Sequence, residues 1–276
     1  MAYKRILTVQ DISCVGQCSM SVALPILSAC GHEVSVLPSK LLSTHTGGFG
    51  KPAVLDLAGS MNDFAAHWQN AGISFDAIYI GYLGSKEAAE GVKSIIHTAL
   101  APGGKLIVDP AMADHGRLYS GLDPAYAKTM EALCMDADVM LPNITEAAMM
   151  AGLPYRDSLD ETYIRSLLDA LGGRDVVLTG VGYDPGETGA AIRHSGKIRT
   201  YLHRRYAKNY HGTGDIFAAC FVGAWMRGWK MEDAMKLAGD FTCKCIENTQ
   251  NADSAWYGVR FGPALPYLIQ QLESND

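Results

Sequence analysis

The chain has 276 residues, 48% of them hydrophobic, with 23 Lys and Arg against 29 Asp and Glu and a formal net charge of −6. A chain of this length and composition buries a substantial core, and a single α/β domain over residues 1–276 accounts for it better than two small ones. The charge is spread thinly, without the basic block that a nucleic-acid partner needs, and the longest apolar run, Ile216 to Met226, is too short to span a bilayer.

The start, MAYKRILTVQD, carries positive charge but only a short apolar run before Gln10 and Asp11, so it reads as a first strand and not as a signal peptide. That strand is predicted at Arg5–Val9, and others at Glu33–Leu37, Ala77–Gly81, Lys105–Asp109, Asp138–Leu141 and Val176–Gly180. Helical stretches fall between them at Ser19–Cys30, Asn62–Asn70, Lys86–Leu100, Pro124–Met135 and Glu161–Leu171. Strand and helix in alternation predict a mostly parallel sheet with helices on both faces, and such sheets bind ligands beyond the carboxyl ends of their strands. After Gly180 two alternating runs flank Ser195-Gly196, which predicts an antiparallel hairpin finishing one sheet edge. Three helices follow, at Gly214–Arg227, Met231–Asn248 and Pro263–Leu272.

Cysteines stand at 14, 18, 30, 134, 220, 243 and 245. An odd number scattered through apolar contexts points to reduced core thiols and a soluble, cytoplasmic protein. Cys243 and Cys245 have no second Cys or His pair at zinc spacing, so packing is their expected role.

The chemistry concentrates at strand ends. Gly212-Thr213-Gly214-Asp215 precedes the long apolar helix, and the first amides of a helix lack internal partners while its dipole is positive there. Glycine lets backbone approach a phosphate closely, so residues 212–214 can cradle phosphoryl oxygens. Asp215 in the first turn is then a candidate general base for an attacking hydroxyl. With an unperturbed pKa near ~3.9 it would be ionised at neutral pH without special tuning. Simple helix capping by Thr213 or Asp215 is the competing explanation.

Asp109 ends the VDP strand, and Asn143 and Glu146 lie three apart where DVMLPNITEA enters a helix. Asp109 and Glu146 could hold Mg²⁺ against nucleotide phosphates. A capping box between Asn143 and Glu146 explains that pair equally well. Thr179 and Gly180 end the next strand, as phosphate contacts or as ordinary turn residues.

In their order, VDP, PNxxE, LTG and GTGD before an apolar helix, these stretches resemble the ribokinase-like small-molecule kinases, and within them the pyridoxal/pyridoxamine kinase family. The resemblance covers nearly the whole chain. It implies a ribokinase-like three-layer α-β-α sandwich and a transfer of the γ-phosphoryl of ATP to the 5′-hydroxymethyl of a B6 vitamer, pyridoxal, pyridoxamine or pyridoxine. It makes Asp215 the base, Gly212, Thr213 and Gly214 the anion hole, and Asp109 with Glu146 the Mg²⁺ holders. Thr179, Asn143, Asp114 and Tyr119 would meet the ATP phosphates. QDISCVGQCS, LLSTHTGGFG and IGYLGS resemble the ring-binding stretches and put Ser13, His45, Thr46 and Tyr82 around the substrate. The family also implies a homodimer and a monovalent cation, although Leu141 and Gly180 stand where hydroxyl residues are common. The segment from His203 to Tyr210 and the helix from Met231 are candidates for the adenine side. Two other readings compete. A hydroxymethylpyrimidine kinase of thiamine metabolism shares the fold but typically carries Cys at the position of Asp215, and a non-catalytic nucleotide or vitamer binder would not require Asp215, Asp109 and Glu146 together.

Overall fold

A computed structural model describes residues 3–172, 174–208, 210–250 and 256–274. The strands are β1 (Arg5–Ser13), β2 (Glu33–Leu42), β3 (Val54–Asp56), β4 (Phe75–Ile80), β5 (Leu100–Val108), β6 (Ala113–Asp114), β7 (Arg117–Leu118), β8 (Val139–Met140), β9 (Asp175–Val181), β10 (Glu187–His194) and β11 (Lys197–Arg204). The helices are α1 (Met20–Ala29), α2 (Met61–Asn70), α3 (Lys86–Ala99), α4 (Pro124–Asp136), α5 (Ile144–Ala151), α6 (Glu161–Ala170), α7 (Thr213–Met226), α8 (Met231–Glu247) and α9 (Leu265–Glu273).

Among the described residues the main sheet runs β11-β10-β9-β8-β5-β4-β1-β2-β3. From β2 to β9 every neighbouring pair is parallel, and the hairpin β10–β11 closes one edge antiparallel as expected. The other edge differs from expectation: β2 continues to Leu42 and the short β3 pairs antiparallel with it, all three β3 residues being exposed. A strand of three residues carries too little alternation to be legible as periodicity.

The two faces of the sheet read directly from the period of two. Leu7, Ile78, Ile80, Val108, Met140, Val176 and Leu178 pack with α2 to α6, whereas Ile6, Ala77, Tyr79, Ile107, Val139 and Val177 pack with α1, α7, α8 and α9. Helix α7 is wrapped by sheet, α1 and α8, so Ile216 through Ala224 are all buried, which explains why that helix carries no charge after Asp215. Full burial of Phe221 alone is worth about 1.5–3 kcal/mol. At Gly223 an added Cβ would lie 2.4 Å from Cys30 Sγ, so α1 and α7 cross closely there.

After β1 the chain steps outward to β2 and then returns past β1 to β4, making the β1–β4 junction the switch point where such sheets open a crevice. Helices α3, α4, α5 and α6 begin with side-chain caps from Ser85, Asp123, Asn143 and Asp160. By contrast α1 and α7, which flank the crevice, have no side-chain cap and begin at Ser19 (φ 48°) and Gly212 (φ 85°).

Candidate active site

The candidate anion cradle, Gly212 to Gly214, is held in shape by the loop after β1. A Cβ on Gly212 would stand 1.9 Å from the carbonyl oxygen of Gln17, and the positive φ is itself unfavourable for any other residue. Gly214 faces open space, with nothing within 4 Å of an added Cβ. Thr213 Oγ1 donates to the Tyr210 carbonyl at 3.3 Å, and Ile216 N–H is the first to close onto the Gly212 carbonyl, at 3.0 Å. The amides ahead of Ile216 are those a helix start leaves for an anion.

Asp215 projects from this first turn into a group of acids. The Ser19 N–H donates to its carboxylate, so the start of α1 and the start of α7 meet on one side chain. Burial raises the Asp215 pKa to about 7, opposed by the Ser19 hydrogen bond and assisted by the charge of Asp11. The expectation of an untuned, fully ionised Asp215 is therefore corrected: desolvation holds this candidate base close to neutral pH, where a general base works best.

Asp11 is the residue that sequence reasoning missed. It is 2% exposed, it accepts from Ser13 Oγ at 2.9 Å and from the Ser19 side chain, and burial raises its pKa. Asp11 and Ser13 are two apart on one strand and so share a face, a signal the sequence carried. Ser13, expected against a substrate ring, spends its proton on Asp11 instead. Between the two acids the Cys18 thiol is pushed up to about 12, first by burial and then by Asp215 and Asp11, so it is no nucleophile at neutral pH.

On the other side of Asp215 lies the pair Asp109 and Glu146. Asp109 follows β5, its N–H bonded to the Ile80 carbonyl at 2.8 Å. Burial, then Glu146, then Asp215 push its pKa well up. Glu146 Oε1 accepts from Met112 N–H (3.0 Å) and Ala113 N–H (3.3 Å), and Oε2 accepts from Asn143 N–H (2.8 Å). Asn143 Oδ1 accepts from Glu146 N–H at 3.0 Å, completing the capping box, and Nδ2 donates to the Ala113 carbonyl at 2.8 Å. The amide of Asn143 is thus committed to structure. No group of three or more metal-binding side chains occurs among the described residues. Two desolvated carboxylates, Glu146 raising the proton affinity of Asp109, nevertheless fit Mg²⁺, which commonly takes one or two carboxylates and completes its shell with waters and phosphates.

A two-stranded flap, β6–β7, overhangs this side. His115 (φ 49°) and Gly116 (φ 75°) form its tight turn, and Gly116 N–H is anchored to Thr145 Oγ1 at 3.1 Å. Asp114 faces its own turn, accepting from His115 N–H at 2.8 Å, while its field reaches Glu146. Tyr119 leaves the flap 39% exposed, its ring 6.5 Å from that of Tyr82. Thr179 is partly exposed at the end of β9, paired with Asn143. Gly180 (φ 80°) sits at the β9–β10 bulge, which accounts for a glycine there.

The ring side closes with aromatic groups. His45 is buried, accepts at Nδ1 from Gly47 N–H (3.0 Å), and so carries its proton on Nε2, which donates to the Tyr257 carbonyl (2.7 Å). Both nitrogens are committed, so His45 shapes the loop and leaves the exposed Thr46 at the rim. His211, directly before the anion cradle, lies 5.0 Å from the His45 ring and packs on Gly47. The Phe49 ring lies tilted against Trp256, with centroids 4.5 Å apart. Of the adenine-side candidates, Asn209 lies outside the described residues; His203 and Tyr206 stand near α8, Tyr206 donating to Glu247 at 3.2 Å.

Comparison with known proteins agrees with this geometry. The phosphomethylpyrimidine kinase family model matches residues 65–259. The solved pyridoxal kinase of Lactobacillus plantarum is similar over 99% of both chains, at 35% identity and a TM-score of 0.89. A Bacteroides thetaiotaomicron protein, provisionally described as a phosphomethylpyrimidine kinase and crystallised with pyridoxal, is 32% identical over 99% of this chain and 96% of its own, with a TM-score of 0.88. The pyridoxine/pyridoxal/pyridoxamine kinase of Bordetella bronchiseptica is 26% identical, with 90% of each chain covered. The chain belongs to the pyridoxal kinase family, and it is a phosphotransferase acting on an alcohol group.

Proposed function

We propose that the protein transfers the γ-phosphoryl of ATP to the 5′-hydroxymethyl group of a B6 vitamer. The observation that carries this reading is Asp215, tuned to about 7 and seated where α1 and α7 begin, beside a glycine cradle for phosphoryl oxygens. The acceptor hydroxyl gives its proton to Asp215 Oδ as it attacks. The amides of residues 212–214 receive charge on the transferring group, each well-placed donor being worth on the order of 3–4 kcal/mol. Asp109 and Glu146 would hold Mg²⁺, which when bound would neutralise phosphate charge. Little covalent work remains for the protein, because phosphoryl transfer is helped mainly by positioning and electrostatics. Tyr119 and the flap cover the phosphates, with Thr179 at the strand edge; a monovalent cation there would rely on backbone carbonyls, since Leu141 is buried and Gly180 has no side chain. Tyr82 and the His45–Thr46 loop border the ring.

A second reading, hydroxymethylpyrimidine as acceptor, is favoured by the description of the matching family model. Val54 and Leu55, 53% and 59% exposed on the edge strand β3, support a homodimer formed there. Seven free thiols support a cytoplasmic setting, and no described helix is long and apolar enough to cross a membrane. The test is mass-spectrometric detection of phosphorylated product with ATP and Mg²⁺ against pyridoxal, pyridoxamine, pyridoxine and hydroxymethylpyrimidine in parallel. Product from a B6 vitamer sustains the proposal; product from the pyrimidine alone replaces it with the second reading, and no product from any leaves a binder.

A further inference from the structure

Lys40 stands near the carboxyl end of β2, and only 8% of it is exposed. Its cross-strand partner is Asp56 of β3, yet the ion pair is long, 3.6 Å from Nζ to Oδ2. An ammonium has three donors, and lysine is seldom buried without close partners. The tip of the side chain lies in the crevice wall: a Cβ on Gly84 would stand 2.7 Å from both Lys40 Cε and Nζ and 2.8 Å from Tyr82 Cε1. It is also near enough to Asp11 for its charge to act on that carboxylate. The ring side of the cleft therefore holds an under-used cation next to a buried acid.

The two candidate substrates differ at this point. A 3-hydroxypyridine can pass its phenolic proton to the ring nitrogen, which leaves an anionic oxygen and a cationic nitrogen on one flat ring. An aminopyrimidine with the same hydroxymethyl arm has no such oxygen; at the corresponding position it offers only a neutral ring nitrogen, a weaker acceptor set back from a donor placed for an exocyclic oxyanion. We propose that Lys40 is a specificity-determining residue of the ring pocket, its ammonium donating to the anionic ring oxygen of a 3-hydroxypyridine and meeting only a neutral, recessed ring nitrogen on an aminopyrimidine. This rests on the B6-vitamer reading above. Asp11, with the Ser13 and Ser19 hydroxyls, supplies the opposite charge.

The test compares wild type with Lys40→Met, which keeps an unbranched apolar stem and removes the charge, and with Lys40→Arg, which keeps it. kcat and KM are measured for pyridoxine, for 3-deoxypyridoxine and for hydroxymethylpyrimidine, with thermal melting and ADP binding confirming the fold. Lys40→Met is expected to lose roughly 10–100-fold in kcat/KM on pyridoxine, mostly through KM, and to stay within ~3-fold on the two substrates lacking the oxygen. Lys40→Arg should keep the preference for pyridoxine. Ultraviolet difference spectra of bound pyridoxine should carry the ring-anion signature in wild type and lose it in Lys40→Met. Equal losses on all three substrates, or no loss on pyridoxine, overturn the assignment. If wild type turns over no vitamer, the vitamer reading falls, and the binding spectrum alone then decides Lys40: absence of a ring-anion signature overturns it.

Discussion

The backbone N–H of Ser19, at the start of α1, donates to the carboxylate of Asp215, at the start of α7. Ser19 adopts φ 48° and ψ −129°, a conformation that costs a non-glycine residue on the order of 1–3 kcal/mol, and it thereby aims its amide at the base and its hydroxyl at Asp11. Strain at the end of one helix is exchanged for orientation of a reactive group on another.

Ser19→Gly separates those roles. Glycine keeps the N–H and relieves the strain, so the variant should melt at the same temperature or higher while kcat falls no more than about 10-fold from loss of the hydroxyl contact to Asp11. A drop in melting temperature together with loss of all activity would mean that the serine hydroxyl, and not the amide, holds the site.

Removing the Asp215 carboxylate should cost kcat roughly 10²–10⁴-fold in Asp215→Asn, with KM little changed, since the acid serves the transition state. Steady-state kinetics on the substrate found active decides this, and an unaltered kcat would exclude Asp215 as base.

The same carboxylate sets a pH dependence. Its folded pKa, about 7, lies above the unfolded value of ~3.9, so between those values the folded chain holds more protons than the unfolded one and stability falls as pH rises. Two outcomes follow for measurement: kcat/KM of wild type should climb through pH ~7 to a plateau, and Asp215→Asn should gain melting temperature over wild type at pH 8 but not at pH 4. A variant less stable than wild type at pH 8 would contradict the desolvation of Asp215.

Gly212 and Gly214 should respond differently to alanine. At Gly212 the new methyl meets the Gln17 carbonyl at 1.9 Å and the residue needs φ 85°, so Gly212→Ala should fold poorly. At Gly214 the methyl enters open space in front of the amides, so Gly214→Ala should melt like wild type and lose activity by crowding the phosphoryl group. Circular dichroism melts beside turnover numbers test the contrast; equal stability of the two would contradict the packing at Gly212.

Light scattering tests the edge strand. Leu55→Glu places a charge on the exposed apolar β3 and should convert a dimer to a monomer; a wild type that is already monomeric would remove the homodimer proposal.

Much of this architecture was legible in the sequence because parallel strands buried on both faces leave continuous apolar runs, as in Leu106–Val108 and Val176–Leu178, and because α7 is apolar all round from Ile216 onward. GTGD pointed to the anion cradle for a local reason, the backbone freedom of Gly212. Asn143 and Glu146 were ambiguous in sequence and remain doubly occupied in space, their side chains serving the capping box while the carboxylate lies beside Asp109. What stayed hidden depends on distant partners. Nothing local to Asp215 announces that it will be desolvated by β1 and the loop after it, and Ser13 gave no sign that its proton would go to Asp11. Lys40 lay beyond the predicted strand Glu33–Leu37, and nothing local announces that β3 and Gly84 cover it.

The bridge between Gln17 and Gly258 joins two points 241 positions apart, and the close approach of Gly212 to the Gln17 carbonyl and the His45 bond to Tyr257 cross nearly as much of the chain. Loops that long close late and slowly. During synthesis, β1, β2 and the flap would all leave the ribosome before the segment that completes the reaction centre, so the growing chain passes through an inert stage in which its acids are not yet set against the phosphate cradle. Catalytic competence is thereby tied to completion of the fold: a molecule truncated before residue 258 lacks the strap that holds the loop around Gln17 in place.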